Sequence, residues 1–141
     1  MSPAVEQVGM LCALELLGQG REVALVARGG SMRPFIQSGD RLTIKSKNTP
    51  LKVGEVIWAR RGEVDVIHRV YHIERDGSFE LRGDALPQTD GWFPADAYLG
   101  TIVAVERGLA RRRSPDTFAH RCFVAFIRGL RHIEWKLNVI R

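Results

Sequence analysis

Little in this chain points to staples, spans or metals. Only two cysteines occur in 141 residues, Cys12 and Cys122, both in apolar surroundings near opposite ends. Neither has a CxxC partner or a histidine at ligand spacing, so a zinc site is not expected. Two buried free thiols in a reducing compartment are the expectation. No apolar run is long enough to cross a membrane. Residues 9–17 are interrupted by Glu15 and fall far short of the roughly 20 residues a span needs. A secretory leader is not expected either, because Glu6 stands where such a leader carries positive charge. The chain therefore reads as cytoplasmic. Internal repeats and low-complexity tracts are lacking, and the length suits one ordinary domain with its own core.

The positive charge is present but uneven. From residue 107 onward nine Lys/Arg face two acids, a net +7, whereas the first 106 residues carry twelve against fourteen, a net −2. The basic character belongs to the tail, which could meet an anionic membrane surface or nucleic acid; charge alone does not choose.

Periodicity divides the chain into a short helix, a β region and a second helix. Residues 3–17 suggest an amphipathic helix with Val5, Val8, Cys12 and Leu16 along one stripe, ended by Gly18 and Gly20. Strands are predicted over 22–28, 41–46 (Leu42 and Ile44 inward), 54–60, 64–73, 78–81 and 98–106. A Gly/Pro/Asp-rich loop fills 83–97. Short connections before residue 83 favour antiparallel pairing, giving a mainly β fold. After a basic linker at 111–115, Phe123, Phe126, Ile127, Leu130, Ile133, Leu137 and Ile140 recur at helical spacing among basic residues. The expected layout is an N-terminal helix at 1–20, a β domain at 21–107, and a linker with an amphipathic helix at 108–141.

Chemistry concentrates in residues 28–40, Arg-Gly-Gly-Ser-Met-Arg-Pro-Phe-Ile-Gln-Ser-Gly-Asp. A serine hydroxyl needs a base and an exposed position before it attacks a carbonyl. Gly29 and Gly30 before Ser31 permit unusual φ angles and close approach by another backbone. Alone, such a segment is usually a turn. On the strand at 64–73, strict alternation puts Val64, Val66, His68, Val70 and His72 on one face. An imidazole between valines is partly desolvated, which favours the neutral form a base needs. His72, which no motif covers, reads as a core histidine.

The order of these segments resembles the signal peptidase family. Ser31-Met32-x-Pro34 followed by Gly39-Asp40 is similar to its nucleophile box, and Val53-Gly54-Glu55-Val56-Ile57 to its second box. Ile67-His68-Arg69-Val70 is similar to the box that supplies the base. Arg82-Gly83-Asp84 with Asp90 is similar to the acidic box, and Leu99-Gly100-Thr101-Ile102-Val103 to the closing strand. Together they cover residues 27–106. Histidine at the base position matches the archaeal and endoplasmic-reticulum branch, whereas most bacterial members carry lysine there. Lys45, Lys47, Lys52 and Lys136 match no base position.

The resemblance implies a signal peptidase/LexA-like β fold and a serine endopeptidase acting on an extended leader or pro-peptide. Ser31 would be the nucleophile, His68 the base, and Asp90 or Asp84 the acid that orients it. Asp84 would otherwise brace the loop near the serine. Backbone N–H groups of Ser31 and Gly30 would form the oxyanion hole, and Met32 would touch substrate. No metal or other cofactor is implied. Gly29 departs from the family, which commonly has a serine there, and Arg33 replaces its usual acidic residue. Family members are membrane-anchored, and this chain shows no span. The expected partners are a peptide or precursor protein, with an anionic membrane or a second copy meeting the C-terminal helix; nucleic acid is not expected. Two other readings fit the same pattern: a self-cleaving LexA-like regulator and a catalytically silent peptide-binding module.

Overall fold

The computed structural model describes residues 3–47, 50–108 and 114–115. The expected helix at 116–139 lies outside the described residues, as does Cys122. A helix, α1 (Pro3–Gly18), is followed by β1 (Val23–Val26), β2 (Arg41–Ser46), β3 (Val56–Arg61), β4 (Val64–Ile73), β5 (Phe79–Arg82), β6 (Trp92–Phe93), a 3-10 turn (Ala95–Ala97) and β7 (Tyr98–Glu106). The strands form one antiparallel sheet in the order β1-β2-β7-β3-β4-β5-β6. The fold is mainly β. Strand β6 lies inside the segment expected to be one long loop. With only two residues between Gly91 and Pro94, it is too short to show alternation.

The face of α1 that packs follows the expected stripe at Leu16, which lies against the core, and departs from it at Cys12. Ala13 and Leu17 are buried, with Met10 and Leu14 packed beside them, while Cys12 is exposed. Met10, Ala13, Leu14 and Leu17 have the i, i+3, i+4, i+7 spacing of one helix face, and they bury against β1, β2 and β7. The expected buried thiol at Cys12 is thereby corrected: it lies on the outward side of that helix.

Two apolar cores result. The first joins Ala13 and Leu17 to Leu42, Ile44, Trp58, Ile102 and Val105, and includes Met32 and Ile36 from the β1–β2 connection. Trp58 is wholly buried, and its indole N–H donates to Asp65 at 2.9 Å, so its polar atom is satisfied. Asp65 also holds Arg60 through two bonds, which raise the Arg60 pKa. The second core contains Ile57, Ala59, Val70, Phe79, Leu81, Phe93, Ala97 and Tyr98.

The alternation along β4 breaks at its far end. Val70 pairs with Leu81 and His72 with Glu80, so Tyr71 is the extra residue of a β-bulge. His72 consequently lies exposed, edge-on to Trp92 and 3.2 Å from Glu74. The expectation of a core histidine is corrected by that bulge. Among the described residues no helix is long and apolar enough to cross a membrane.

Candidate active site

Ser31 sits on the connection between β1 and β2, on a turn anchored by burial. Met32 and Ile36 are each 4% exposed, drawing both sides of the turn into the first core. Gly29 has φ +80°. A side chain there would be strained in the left-handed region, so a serine in its place conflicts with this backbone. The Arg33–Pro34 bond is cis. At the far end Asp40 accepts from the Gln37 N–H at 2.8 Å and from Arg107 in a two-pronged pair, each bond 2.8 Å. Asp40 thus closes the turn and fastens it to the end of β7. The Arg107 pKa is raised, chiefly by its hydrogen bond to Asp40.

His68 lies in mid-β4 opposite Ile57 and is 8% exposed. Its ring joins the two loops. Nε2 is 2.9 Å from Ser31 Oγ, and Nδ1 is 2.5 Å from Asp90 Oδ2. A carboxylate only accepts, so the proton of the neutral ring belongs on Nδ1, leaving Nε2 to accept from the serine hydroxyl. Ser31, His68 and Asp90 therefore form one hydrogen-bonded chain across 59 residues of sequence.

Asp84 points elsewhere. Its carboxylate pairs with Arg69 at 2.9 and 2.8 Å, and Arg69 also donates to the Gly54 carbonyl at 2.7 Å. Both side chains are almost wholly buried, at 2% and 5% exposure. This is the bracing geometry, not the orienting one. The Asp84 N–H faces Met32 Sδ at 3.5 Å, and the neighbouring Ala85 N–H donates to the Ser31 carbonyl at 2.9 Å. The acidic segment thus packs directly on the serine turn. Gly83 makes that approach feasible, because a Cβ there would stand 2.6 Å from the Ser31 carbonyl oxygen. The motif at 53–57 holds the base strand: Gly54 N–H donates to Val70, and Val70 N–H donates to Glu55.

Beside Ser31 is a cavity of about 40 Å³, lined by Ala27, Arg28, Gly29, Met32, Ile36, Leu42 and Ile67 as well as the serine. A larger one of about 330 Å³, lined by Lys47, Leu51, Ile73, Phe79 and Tyr98 among others, contains none of the candidate site residues. Burial raises the pKa of its Tyr98 phenol. The main-chain N–H groups of Gly30 and Ser31 have no acceptor among the described residues. Also among the described residues, no buried side-chain polar atom is unsatisfied and no group of His, Cys, Asp or Glu could hold a metal.

One residue that sequence reasoning missed touches the acid's main chain. Arg61 donates to the carbonyls of Asp90 and Trp92 from 29 and 31 residues away. Nothing in its local sequence marks it.

No curated protein matches the chain. A family match covers residues 7–84, a span that includes Ser31, His68 and Asp84 and stops before Asp90. That family includes serine peptidases and self-cleaving LexA-like regulators. Its mainly β architecture agrees with the sheet described above, and the match covers more than half of the chain. The chain belongs to the Peptidase S24-like family.

Proposed function

We propose that this chain is a serine endopeptidase of the Ser-His-Asp type, closest in its machinery to the histidine-bearing signal peptidase branch. One observation carries the reading: the unbroken hydrogen-bond path from Ser31 Oγ through both nitrogens of His68 to Asp90. In the reaction His68 Nε2 takes the hydroxyl proton as Ser31 Oγ attacks the scissile carbonyl. Asp90 holds the ring in the required tautomer and stabilises the imidazolium that forms. The same imidazolium then protonates the leaving amine, and water repeats the sequence on the acyl-enzyme. The N–H groups of Gly30 and Ser31, which have no acceptor among the described residues, are the candidate oxyanion donors. With Gly29 in the left-handed region, the hole rests on backbone alone. One such donor is worth about 10²–10³ in rate.

The substrate is an extended leader or pro-peptide segment, lying beside the sheet by main-chain pairing. The small cavity beside Ser31 fits a small side chain next to the cut. Met32 is one of its lining residues and would meet substrate there. Asp84 acts as a brace.

The test is labelling of the full chain by a serine-directed acylating probe, followed by mass spectrometry of the labelled peptide. Label on Ser31 that disappears in His68→Ala supports the reading; label elsewhere, or indifference to His68, refutes it. Acidification should slow labelling, because a ring already carrying both protons cannot accept the serine's. The family match also covers self-cleaving regulators. A cleavage rate that is independent of protein concentration would identify that mode, and a rate that rises with concentration the intermolecular one.

A further inference from the structure

Asp90 ends the 83–90 loop and is followed by the weakest strand of the sheet. Strand β6 is two residues long and is held by the pairs Phe79↔Phe93 and Glu80↔Trp92. The Asp90 N–H adds one bond to the Leu81 carbonyl at 2.8 Å. A two-residue edge strand with so few bonds is the kind of element that opens locally. Yet the carboxylate it positions must stay within hydrogen-bond reach of His68.

Arg61 supplies the missing constraint. It ends β3, separated from β6 by β4 and β5 in the sheet order, and the curl of the sheet brings it over β6. Nη1 donates to the Asp90 carbonyl at 3.0 Å and Nη2 to the Trp92 carbonyl at 2.6 Å. The guanidinium carbon lies 3.9 Å from the centre of the Phe93 ring, which is itself stacked on Phe79. Gly91, between the two carbonyls, has φ +80°, the turn that lets both face one fork.

We propose that Arg61 is a positioning residue for Asp90: it clamps the main chain on both sides of Gly91 and so keeps the acid against His68. It touches neither the serine nor the imidazole and acts through the backbone of the acid. A planar fork over an aromatic ring is specific to arginine; lysine offers one compact ammonium with no matching plane. The effect on rate rests on the peptidase reading, whereas the effect on the His68–Asp90 contact does not.

Four full-length variants test this: Arg61→Ala, Arg61→Lys, Asp90→Asn and the Arg61→Ala/Asp90→Asn pair. Two quantities are read, the labelling rate at Ser31 and the imidazole ¹⁵N resonances of His68. Arg61→Ala is expected to slow labelling on the order of 10²-fold, the scale of a small misplacement of catalytic groups. Its His68 resonances should move toward those of Asp90→Asn, with Arg61→Lys between it and the wild type. The double variant should be no slower than Asp90→Asn alone, because both changes remove the same contact. Arg61 is exposed, so the variants should fold; if Arg61→Ala does not, Arg61→Lys carries the same comparison. His68 resonances that coincide with wild type overturn the proposal, as does an equal loss of rate with and without Asp90. If the wild type is never labelled but Arg61→Ala still moves His68 toward the Asp90→Asn spectrum, the clamp stands and the peptidase reading falls.

Discussion

The serine arm and the acid arm meet on one histidine, but they are held by different forces. Around the serine itself the turn is anchored by apolar burial, with Met32 and Ile36 each 4% exposed in the first core, and only its far end is fastened by a charged pair, Asp40 with Arg107. In the acid arm, residues 83–90, none of the side chains belongs to a core cluster. That loop is held by directional bonds: Arg82 to the Leu86 carbonyl at 2.9 Å, Asp84 to Arg69, and Arg61 to the Asp90 carbonyl. Burial is non-directional and tolerates change of similar volume. Charged hydrogen bonds fix orientation, but losing one partner leaves the other unsatisfied. On the proposed reading, the nucleophile has to be packed in place, while the acid has to be aimed.

The sharpest way to test the division is to remove the groups themselves. Ser31→Ala should abolish turnover, a loss on the order of 10⁶-fold, and His68→Ala should be comparable, with the double variant little worse. Circular dichroism should be unchanged for Ser31→Ala, whose hydroxyl is no part of either core. Asp90→Asn should follow at about 10⁴-fold, because an amide favours the wrong imidazole tautomer. Turnover of an extended peptide measures all three. Retained activity in Asp90→Asn would mean that the acid arm aims nothing.

Stability variants come next. Asp84→Ala removes the carboxylate that faces the buried Arg69 charge, so unfolding by denaturant should show a loss of about 3–5 kcal/mol. Met32→Ala removes a buried side chain from the serine arm and should cost about 2–5 kcal/mol. The two should differ under repair. Met32→Leu should restore most of the loss, since it conserves volume. Asp84→Asn should restore little, since it cannot return the charge. If both repairs work equally well, the two arms are not held differently.

This contrast also explains what was legible in the sequence. Strands β2, β4 and β7 announce themselves through alternating apolar residues, and the order of short motifs pointed to Ser31, His68 and either Asp90 or Asp84; the fold brings the first two together with Asp90 and sets Asp84 against Arg69. Burial leaves a periodic trace that can be read locally. The polar clamps leave none: Arg61 reaches across 29 residues, and only a curled sheet makes that short in space. The face of β4 was readable as far as Val70 and lost at the bulge beside it, because one inserted residue inverts the alternation. The stripe on α1 was right at Leu16 and wrong at Cys12, because that helix is apolar nearly all round and only the position of β1, β2 and β7 decides which residues bury. Strand β6 escaped notice because two residues cannot display a period.

The smallest expected effect concerns Lys45, one of the lysines that match no base position. Lys45 lies on β2 and pairs with Glu22 at 3.1 Å, with side chains 55% and 48% exposed. A pair so open to water is worth no more than about 1 kcal/mol and weakens with salt. Lys45→Gln should therefore shift the denaturation midpoint slightly, and less at high salt, while labelling at Ser31 stays at the wild-type rate. A lysine acting as base would need to be desolvated and within reach of the serine hydroxyl. Lys45 is instead exposed and occupied by a carboxylate, whereas Ser31 Oγ is already bonded to His68 Nε2. The paired measurement is Lys45→Gln beside His68→Ala with the same probe. Loss of labelling in the first and survival in the second would put nucleophile and base together on the β1–β2 side. Asp90 and its clamp would then have nothing to orient, and the division between a packed nucleophile and an aimed acid would collapse.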